Sequence, residues 1–441
     1  NATMKIVALV FWSVIGMLSA VPTMAAGLAP KRVVLDNGLV LLVSEQRALP
    51  IVSVELLIEA GSRYDTAGQE GLAHLAARLL TYGTQTRSAS QISDALDFLG
   101  ASLSAACGEN LASVSMTVLK KDLSAGLGLM AEVLMQSTFP QEEIERQKQE
   151  TIALLRAREE EPGDIAERRF AAALFPHSPY GRPVEGSESS LANISQQGLR
   201  EFYRANYRPN RTMMAVVGDV SADEIEAALK QAFRGWKTGE PASAPSPPAS
   251  GPPTVIRVNK DLTQANIIMG HEGVARSNPD YYAIQVMNSI LGGGGFSSRA
   301  MESIRNQRGL AYSVYTHYSA DKSHGSFQLV MQTENASARE AMRIAREEIA
   351  RIRSEPVSEQ ELNDAKDYLT GSFPLRLDTN RKIASFLAQV EFYNLGLDYA
   401  ERYRDLIRAV KSEDVLRVAK RYLQPEKLIT VLVGSQNKIG E

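Results

Sequence analysis

A short segment in the second half of the chain carries two side chains that can stabilise negative charge. It reads Ile-Arg-Asn-Gln-Arg-Gly-Leu-Ala-Tyr-Ser and places Arg305 seven residues before Tyr312. A guanidinium and a phenol can both donate hydrogen bonds to an oxyanion that develops during attack on a carbonyl group, and neither needs a metal ion to do so. The alternative interpretation is structural, with Arg305 on a helix surface and Tyr312 in the core of a strand.

A histidine on a predicted helix in the first half could bind a metal ion. His74 is followed three and four residues later by Ala77 and Arg78. Catalytic zinc takes three protein ligands and keeps one position open, so one imidazole does not hold the ion. The sequence therefore predicts that His74 is a packed or solvated histidine. A rebuilt metal site that uses His74 and Glu150 is the alternative.

The other residues of metal-ligand type do not complete a site in the sequence. The remaining histidines are scattered along the chain: His177, His271, His317 and His324. We expect His271 and the adjacent Glu272 to lie at the surface or in a turn. Cys107 is the one cysteine, which excludes an intrachain disulfide and a multi-cysteine metal site. Its default role is that of a small buried apolar residue.

Four consecutive glycines lie between two predicted helices: Gly292, Gly293, Gly294 and Gly295. A phosphate-binding loop would follow a strand and usually precede Lys-Ser or Lys-Thr, and neither feature is present. The glycines instead allow a tight, mobile turn with exposed backbone amides. A purely structural turn and a loop that contacts substrate both remain open.

The composition is that of a globular protein that can bury a core. Of 441 residues, 44% are hydrophobic and 22% are charged, which argues against a disordered or fibrous chain. Lys and Arg number 48 against 51 Asp and Glu, a formal net charge of −3. With no excess of basic residues to neutralise phosphates, nucleic-acid binding is not expected.

Residues 1–29 are predicted to be a targeting segment rather than part of the fold. The three residues before Met4 look like an artificial extension. A basic residue, the apolar run Ile6–Leu18 and small residues up to Ala26 then follow the layout of a secretory signal peptide. The run is too short to span a bilayer comfortably, which favours a signal peptide. An uncleaved membrane anchor is the alternative interpretation. We expect a periplasmic protein without stable membrane insertion after cleavage.

The rest of the chain is divided into two halves with similar sequence features. Residues 239–253 contain six prolines and predict an extended linker between residues 30–238 and residues 254–441. Each half ends with a proline, a basic residue two positions later, an apolar strand and a glycine, at 209–218 and 425–434. This match predicts a duplication.

Each half mixes strands and helices without strict alternation. Asn37-Gly38 predicts a hairpin turn, and residues 51–59 alternate as a strand does. Helices are predicted over 71–80, 141–158 and 279–291, among others. The pattern indicates an α+β fold in which helices cover a largely antiparallel sheet in each half.

The motifs resemble those of the pitrilysin-like inverted zincin peptidases (peptidase family M16), over roughly residues 30–438. His74 matches the first histidine of the family's His-x-x-Glu-His motif, whereas the general-base position is Ala77 and the second histidine position is Arg78. The third-ligand position falls near Leu154. The resemblance therefore implies that this chain holds no metal or other cofactor, and that zinc belongs to a partner subunit.

The segment from Arg305 to Tyr312 is similar to the family's Arg/Tyr signature. The resemblance implies that this pair acts in trans on the substrate carbonyl at a partner's zinc, and that the glycine turn can contact substrate. We therefore expect a non-catalytic, substrate-binding subunit of a heterodimeric zinc metalloendopeptidase that acts on unfolded peptides. Two such chains would close as the halves of a clamshell. The alternative is a peptide-binding or scaffolding homodimer of the envelope with no proteolytic role.

Overall fold

The computed structural model describes residues 28–244 and 246–440. The predicted signal peptide lies outside these residues, apart from its last two positions at 28 and 29. Within the described ranges, no helix combines the length and the apolar character needed to cross a membrane.

The first half contains one six-stranded sheet and eight α-helices among its described residues. The strands are β1 (Lys31–Val34), β2 (Val40–Glu45), β3 (Ile51–Ile58), β4 (Ser102–Cys107), β5 (Ala112–Leu119) and β6 (Thr212–Gly218). The helices are α1 (Leu72–Arg78), α2 (Ala89–Leu99), α3 (Leu123–Gln136), α4 (Gln141–Arg158), α5 (Pro162–Leu174), α6 (Glu188–Ala192), α7 (Gln196–Asn206) and α8 (Ala222–Ala232). The strand order is β1-β2-β6-β3-β5-β4.

The second half contains a five-stranded sheet. Its strands are β7 (Val255–Asn259), β8 (Gln264–Glu272), β9 (Ala311–Ala320), β10 (Gly325–Glu334) and β11 (Ile429–Gly434). Its helices are α9 (Tyr281–Asn288), α10 (Ala338–Ser354), α11 (Glu359–Ser372), α12 (Asn380–Phe392), α13 (Tyr399–Arg408), α14 (Ser412–Tyr422) and α15 (Gln436–Ile439). The strand order is β7-β11-β8-β10-β9.

The two sheets have the same topology. β2 pairs in parallel with β6 as β7 does with β11, and the three following pairs in each sheet are antiparallel. Only β1 lacks a counterpart among the described strands. This equivalence confirms the predicted duplicated α+β unit with largely antiparallel sheets. The predicted hairpin is also present, with Gly38 at a φ of +81° in the turn between β1 and β2.

Each half contributes a helix to the other half's sheet. The buried face of α12 packs on the first sheet, where Leu387 and Ala384 join a cluster with Leu57 and Met213. On the second sheet, Phe170 of α5 lies in an equivalent cluster with strands β8 and β11. β6 is buried along its whole length because helices cover both faces of the sheet. The sequence predicted two units but not this exchange. Each half has a main core of its own, and the exchanged helices add clusters that both halves share.

Polar contacts add to the apolar junction between the halves. Asp321, in the β9–β10 turn, accepts hydrogen bonds from the Asn110 side chain at 3.0 Å and from the Tyr393 hydroxyl at 3.3 Å. The side-chain oxygen Oδ1 of Asn110 in turn accepts from the Tyr180 hydroxyl at 2.9 Å. Asp321 and Tyr393 belong to the second half and the other two residues to the first, so this network connects the two units.

Candidate functional site

Helix α1 is positioned by a half-buried carboxyl group at its N-terminus. Asp65 accepts hydrogen bonds from the backbone N–H groups of Gly71 and Ala73, at 2.8 and 2.7 Å. Burial raises the pKa of Asp65 to about 7, although these two bonds oppose the shift. Leu72, Leu75, Ala76 and Leu79 pack in the core of the first half. His74 and Arg78, one turn apart, lie outside this fully buried set.

His74 is a half-buried, neutral histidine. Burial lowers its pKa to about 4; the nearby Arg78 adds to the decrease, and Glu185 opposes it. Its Nε2 atom is buried and has no hydrogen-bond partner among the described residues. At neutral pH the ring therefore carries no charge and leaves one lone pair or N–H unsatisfied.

Arg78 occupies the second-ligand position of the motif and contacts helix α4. Its Nε donates to Gln147 Oε1 at 2.7 Å, and its Nη2 lies 3.4 Å from Glu150 Oε2. Gln147 is fully buried and donates to the same Glu150 oxygen at 2.9 Å. Arg146 binds the other oxygen of Glu150 at 2.7 Å. The carboxylate nearest to the third-ligand position is therefore paired with two guanidinium groups.

The residues at the motif positions do not fit a catalytic zinc ion. His74 is one neutral donor where three ligands are required. Ala77 is buried and has no group that could accept a proton from water, and Leu154 is apolar and 41% exposed. The rebuilt alternative with Glu150 would also have to displace Arg78 and Arg146 from that carboxylate.

Two histidines in the second half have roles that the sequence did not indicate. The expectation that His271 lies at the surface is wrong, because it is 2% exposed on β8 and its Nε2 accepts a hydrogen bond from the Gln424 backbone N–H at 3.1 Å. His324 forms, with Glu109 and Asp321, the one set of three ligand-type side chains that the described residues bring together. That set shares no residue with the degenerate motif, and Asp321 already accepts the hydrogen bonds that join the halves.

The glycine turn has a tightly packed structural role. The predicted helix over 279–291 is α-helical only to Asn288, and Ser289–Gly293 continue as a π-helical turn. A Cβ atom on Gly292 would lie 2.6 Å from the Thr316 backbone nitrogen, so close packing against β9 requires glycine there. Gly293 and Gly294 pack equally closely against the preceding helical turn, and only Gly295 is exposed, at a φ of +70°. The first three positions are therefore packed rather than open.

The structure brings Arg305 and Tyr312 together at the surface. The carbon at the centre of the Arg305 guanidinium lies 5.9 Å from the centroid of the Tyr312 ring and 5.4 Å from that of Phe296. Tyr312 is 70% exposed and Phe296 is 71% exposed. The alternative in which Tyr312 fills a strand core is therefore wrong. Phe296, directly after the glycines, was missed because an apolar residue between helices gives no signal of exposure.

A half-buried ion pair holds this segment against helix α11. Arg299 binds both carboxylate oxygens of Glu361, at 2.6 and 3.0 Å. The Arg299 guanidinium and the Ser358 cap hold the pKa of Glu361 at about 2, against the opposing effect of burial. Arg305 lies in the next π-helical segment, Met301–Asn306, so the ion pair fixes the start of the element that carries it. π-Helical turns are frequent at functional sites.

Comparison with known proteins identifies the class. Residues 40–188 match the family model described as insulinase (peptidase family M16), and residues 193–369 match the one described as the peptidase M16 inactive domain. A Pseudomonas fluorescens crystal structure of a peptidase M16 inactive domain superimposes with a TM-score of 0.88 at 27% identity, over 93% of this chain and 99% of that one. The fold is also that of a Helicobacter pylori protease, with a TM-score of 0.83 at 20% identity, over 92% and 99% of the two chains.

Relatives in other bacteria match over nearly the whole chain. An uncharacterized zinc protease of Rickettsia felis is 27% identical, over 88% of this chain and 93% of its own. One from Mycobacterium tuberculosis strain H37Rv is 29% identical, over 90% and 92%. The duplicated α+β chain thus has the fold of a two-domain metallopeptidase. It belongs to peptidase family M16.

Proposed function

We propose that this chain is the non-catalytic, substrate-binding subunit of a zinc metalloendopeptidase with two kinds of chain. The observation that carries the proposal is the surface pair of Arg305, which is half-buried, and Tyr312, which is exposed, in a chain whose own motif positions offer one zinc ligand instead of three. This combination suits a subunit that binds a peptide while a partner supplies the metal. The match of residues 193–369 to the inactive-domain model supports it.

Arg305 is free to donate to a substrate. Among the described residues its guanidinium has no carboxylate partner, and its one side-chain contact of hydrogen-bonding type is to the Met301 sulfur at 3.9 Å. The hydroxyl of Tyr312 is carried on an exposed ring at the beginning of β9. Both groups can direct N–H or O–H donors to one carbonyl oxygen and stabilise the negative charge that forms there. Phe296 offers an apolar face for a neighbouring side chain of the peptide.

Reconstitution tests the proposal. The purified chain is mixed with a family member from the same organism that retains His-x-x-Glu-His, and cleavage of a fluorogenic peptide is followed. We expect activity that neither chain has alone. Arg305→Ala and Tyr312→Phe should each lower kcat by about 10²-fold, the usual cost of one oxyanion donor.

Matched controls separate this role from a general loss of fold. Arg404→Ala and Tyr368→Phe change exposed residues on α13 and α11 and should leave the rate unchanged. Full activity of the Arg305→Ala/Tyr312→Phe double variant would contradict the proposed role. If no family member that retains His-x-x-Glu-His gives activity when mixed with this chain, the scaffolding homodimer is favoured instead.

We also propose a periplasmic location, supported by the basic, apolar and small-residue order of residues 4–26. Cell fractionation with detection of the cleaved N-terminus tests it. The mature protein should appear in the periplasmic fraction without the leader. Recovery in the membrane fraction with the leader intact would favour the anchor.

A further inference from the structure

A cavity lies beside the junction of the halves, apart from the Arg305–Tyr312 surface. Its volume is about 540 Å³, and α9, the end of β9 and α12 form its walls. Helix α12 packs on the first sheet through Leu387 and its neighbours, whereas Phe386, Gln389 and Tyr393 line the cavity. Neither Arg305 nor Tyr312 contributes to it.

A buried arginine without a carboxylate partner faces this cavity. Arg276 is 9% exposed, and the carbon at the centre of its guanidinium lies 3.6 Å from the centroid of the Tyr281 ring. Its Nη2 donates to the Tyr399 hydroxyl at 3.0 Å, which is its one side-chain hydrogen bond of normal geometry to the described residues. A guanidinium has five N–H donors, so most of those of Arg276 donate to no side chain among the described residues.

The charge around the cavity is positive. Arg376 lines the same space and, among the described residues, has no carboxylate partner either. Lys382 also lines it but is paired with Asp378 at 2.8 Å. The carboxylate of Asp321, near Tyr393, is occupied by the contacts that join the halves. Buried charges in proteins are normally paired, and aromatic faces replace a carboxylate only in part.

The remaining wall is partly apolar. Leu375, Phe386, Val390 and Leu395 contribute to it beside Ser385 and Gln389, so the cavity combines an apolar side with polar groups that can orient a ligand. We propose that this cavity binds a carboxylate carried by an apolar group. The Arg276 guanidinium holds the carboxylate through two parallel hydrogen bonds, and Arg376 adds a second positive charge. The carboxylate belongs either to a free small acid or to the C-terminus of a peptide.

Calorimetric titration of the purified full chain tests this proposal, and it needs no partner subunit. The probe is N-acetyl-phenylalanine, and its neutral amide is the matched ligand control. We expect the acid to bind at least about tenfold more tightly than the amide, the value of one charge-assisted contact. Arg276→Gln and Arg376→Gln should each weaken binding of the acid. Arg404→Gln, an exposed arginine on α13, should not.

A second ligand pair distinguishes the two sources. A short peptide ending in phenylalanine is titrated with a free and with an amidated C-terminus. Tighter binding of the free form supports a peptide terminus, whereas binding of N-acetyl-phenylalanine alone supports a small acid. If Arg276→Gln does not fold, as judged by its thermal unfolding, the Arg376→Gln result decides.

Equal binding of acid and amide, no binding of the acid at millimolar concentration, or unchanged affinity in every folded variant of the cavity would overturn the proposal. None of these outcomes bears on Arg305 and Tyr312.

Discussion

The ion pair between Arg299 and Glu361 gives the sharpest prediction about how the Arg305 segment is held in place. Replacement of Arg299 by glutamine removes the charge from a side chain that is 8% exposed and binds both oxygens of its partner. The carboxylate then remains at the N-terminus of α11 with only its cap contacts to Ser358. We expect a loss of stability and a less firmly held π-helical segment.

The expected size follows from the pKa of Glu361. A carboxyl whose pKa falls from 4.5 to about 2 gains at most about 3.4 kcal/mol at neutral pH. The Glu361 side chain is 33% exposed, so water screens the interaction, and the Ser358 contacts account for part of the shift. We therefore expect Arg299→Gln to lower the free energy of unfolding by about 2 kcal/mol.

A double-mutant cycle with Glu361→Gln isolates the pair. Urea unfolding is followed by circular dichroism at pH 7 and at lower pH. The carboxyl is ionised in the folded state down to about pH 2, so its stabilisation is complete above its unfolded pKa of 4.5 and is lost as the pH falls from there toward 2. The coupling energy should therefore decline over that window.

A matched control and a refuting result complete this experiment. Arg343→Gln breaks an exposed ion pair with Glu340 and should change the stability little. A coupling energy between Arg299 and Glu361 below about 0.5 kcal/mol at pH 7 would show that the pair does not anchor the segment.

Two further predictions concern the helix exchange and the degenerate motif. Leu387→Ala should lower the free energy of unfolding in urea by about 2–5 kcal/mol, because it leaves a cavity between α12 and the first sheet. The control Leu154→Ala changes an exposed residue and should have little effect. Equal effects of the two substitutions would refute the packing of α12 on the first sheet. In an NMR titration, the His74 ring should stay neutral until about pH 4. Because the pKa of the ring in the unfolded chain is near 6.5, its contribution to stability should be lost as the pH falls from 6.5 toward 4. A titration midpoint of His74 near pH 6.5 in the folded protein would contradict its burial.

Local patterns in the sequence predicted the elements well. Residues 141–158 are a helix from the first predicted position to the last, and Asn37-Gly38 forms the expected turn, because caps, turn residues and apolar spacing act within a few positions. The duplication was also readable, since both copies keep their terminal strand and glycine.

Long-range packing was not readable from the sequence. The apolar face of α12 predicts that a helix is buried but not which sheet it covers, and here it covers the sheet of the other half. Arg299 and Glu361 are 62 positions apart, and single residue types do not specify such a pair. His271 was misplaced for a related reason: its ring is satisfied by the backbone of Gln424, 153 positions away.

The candidate site was predicted in part. Arg305 and Tyr312 were found from a short motif, and the structure adds that Phe296 lies beside them. Arg276 gave no signal, because an isolated arginine in a loop is ordinarily solvated. Its burial becomes evident only when α9, α12 and α13 surround it.

Metal analysis of the isolated chain tests the central claim most directly. The purified protein is incubated with zinc, dialysed, and assayed for bound zinc and for cleavage of a fluorogenic peptide, with His74→Ala in parallel. We predict far less than stoichiometric zinc, no cleavage, and no difference between the two proteins. A tightly bound zinc ion in each chain that is lost in His74→Ala, together with peptide hydrolysis by the chain alone, would contradict the account.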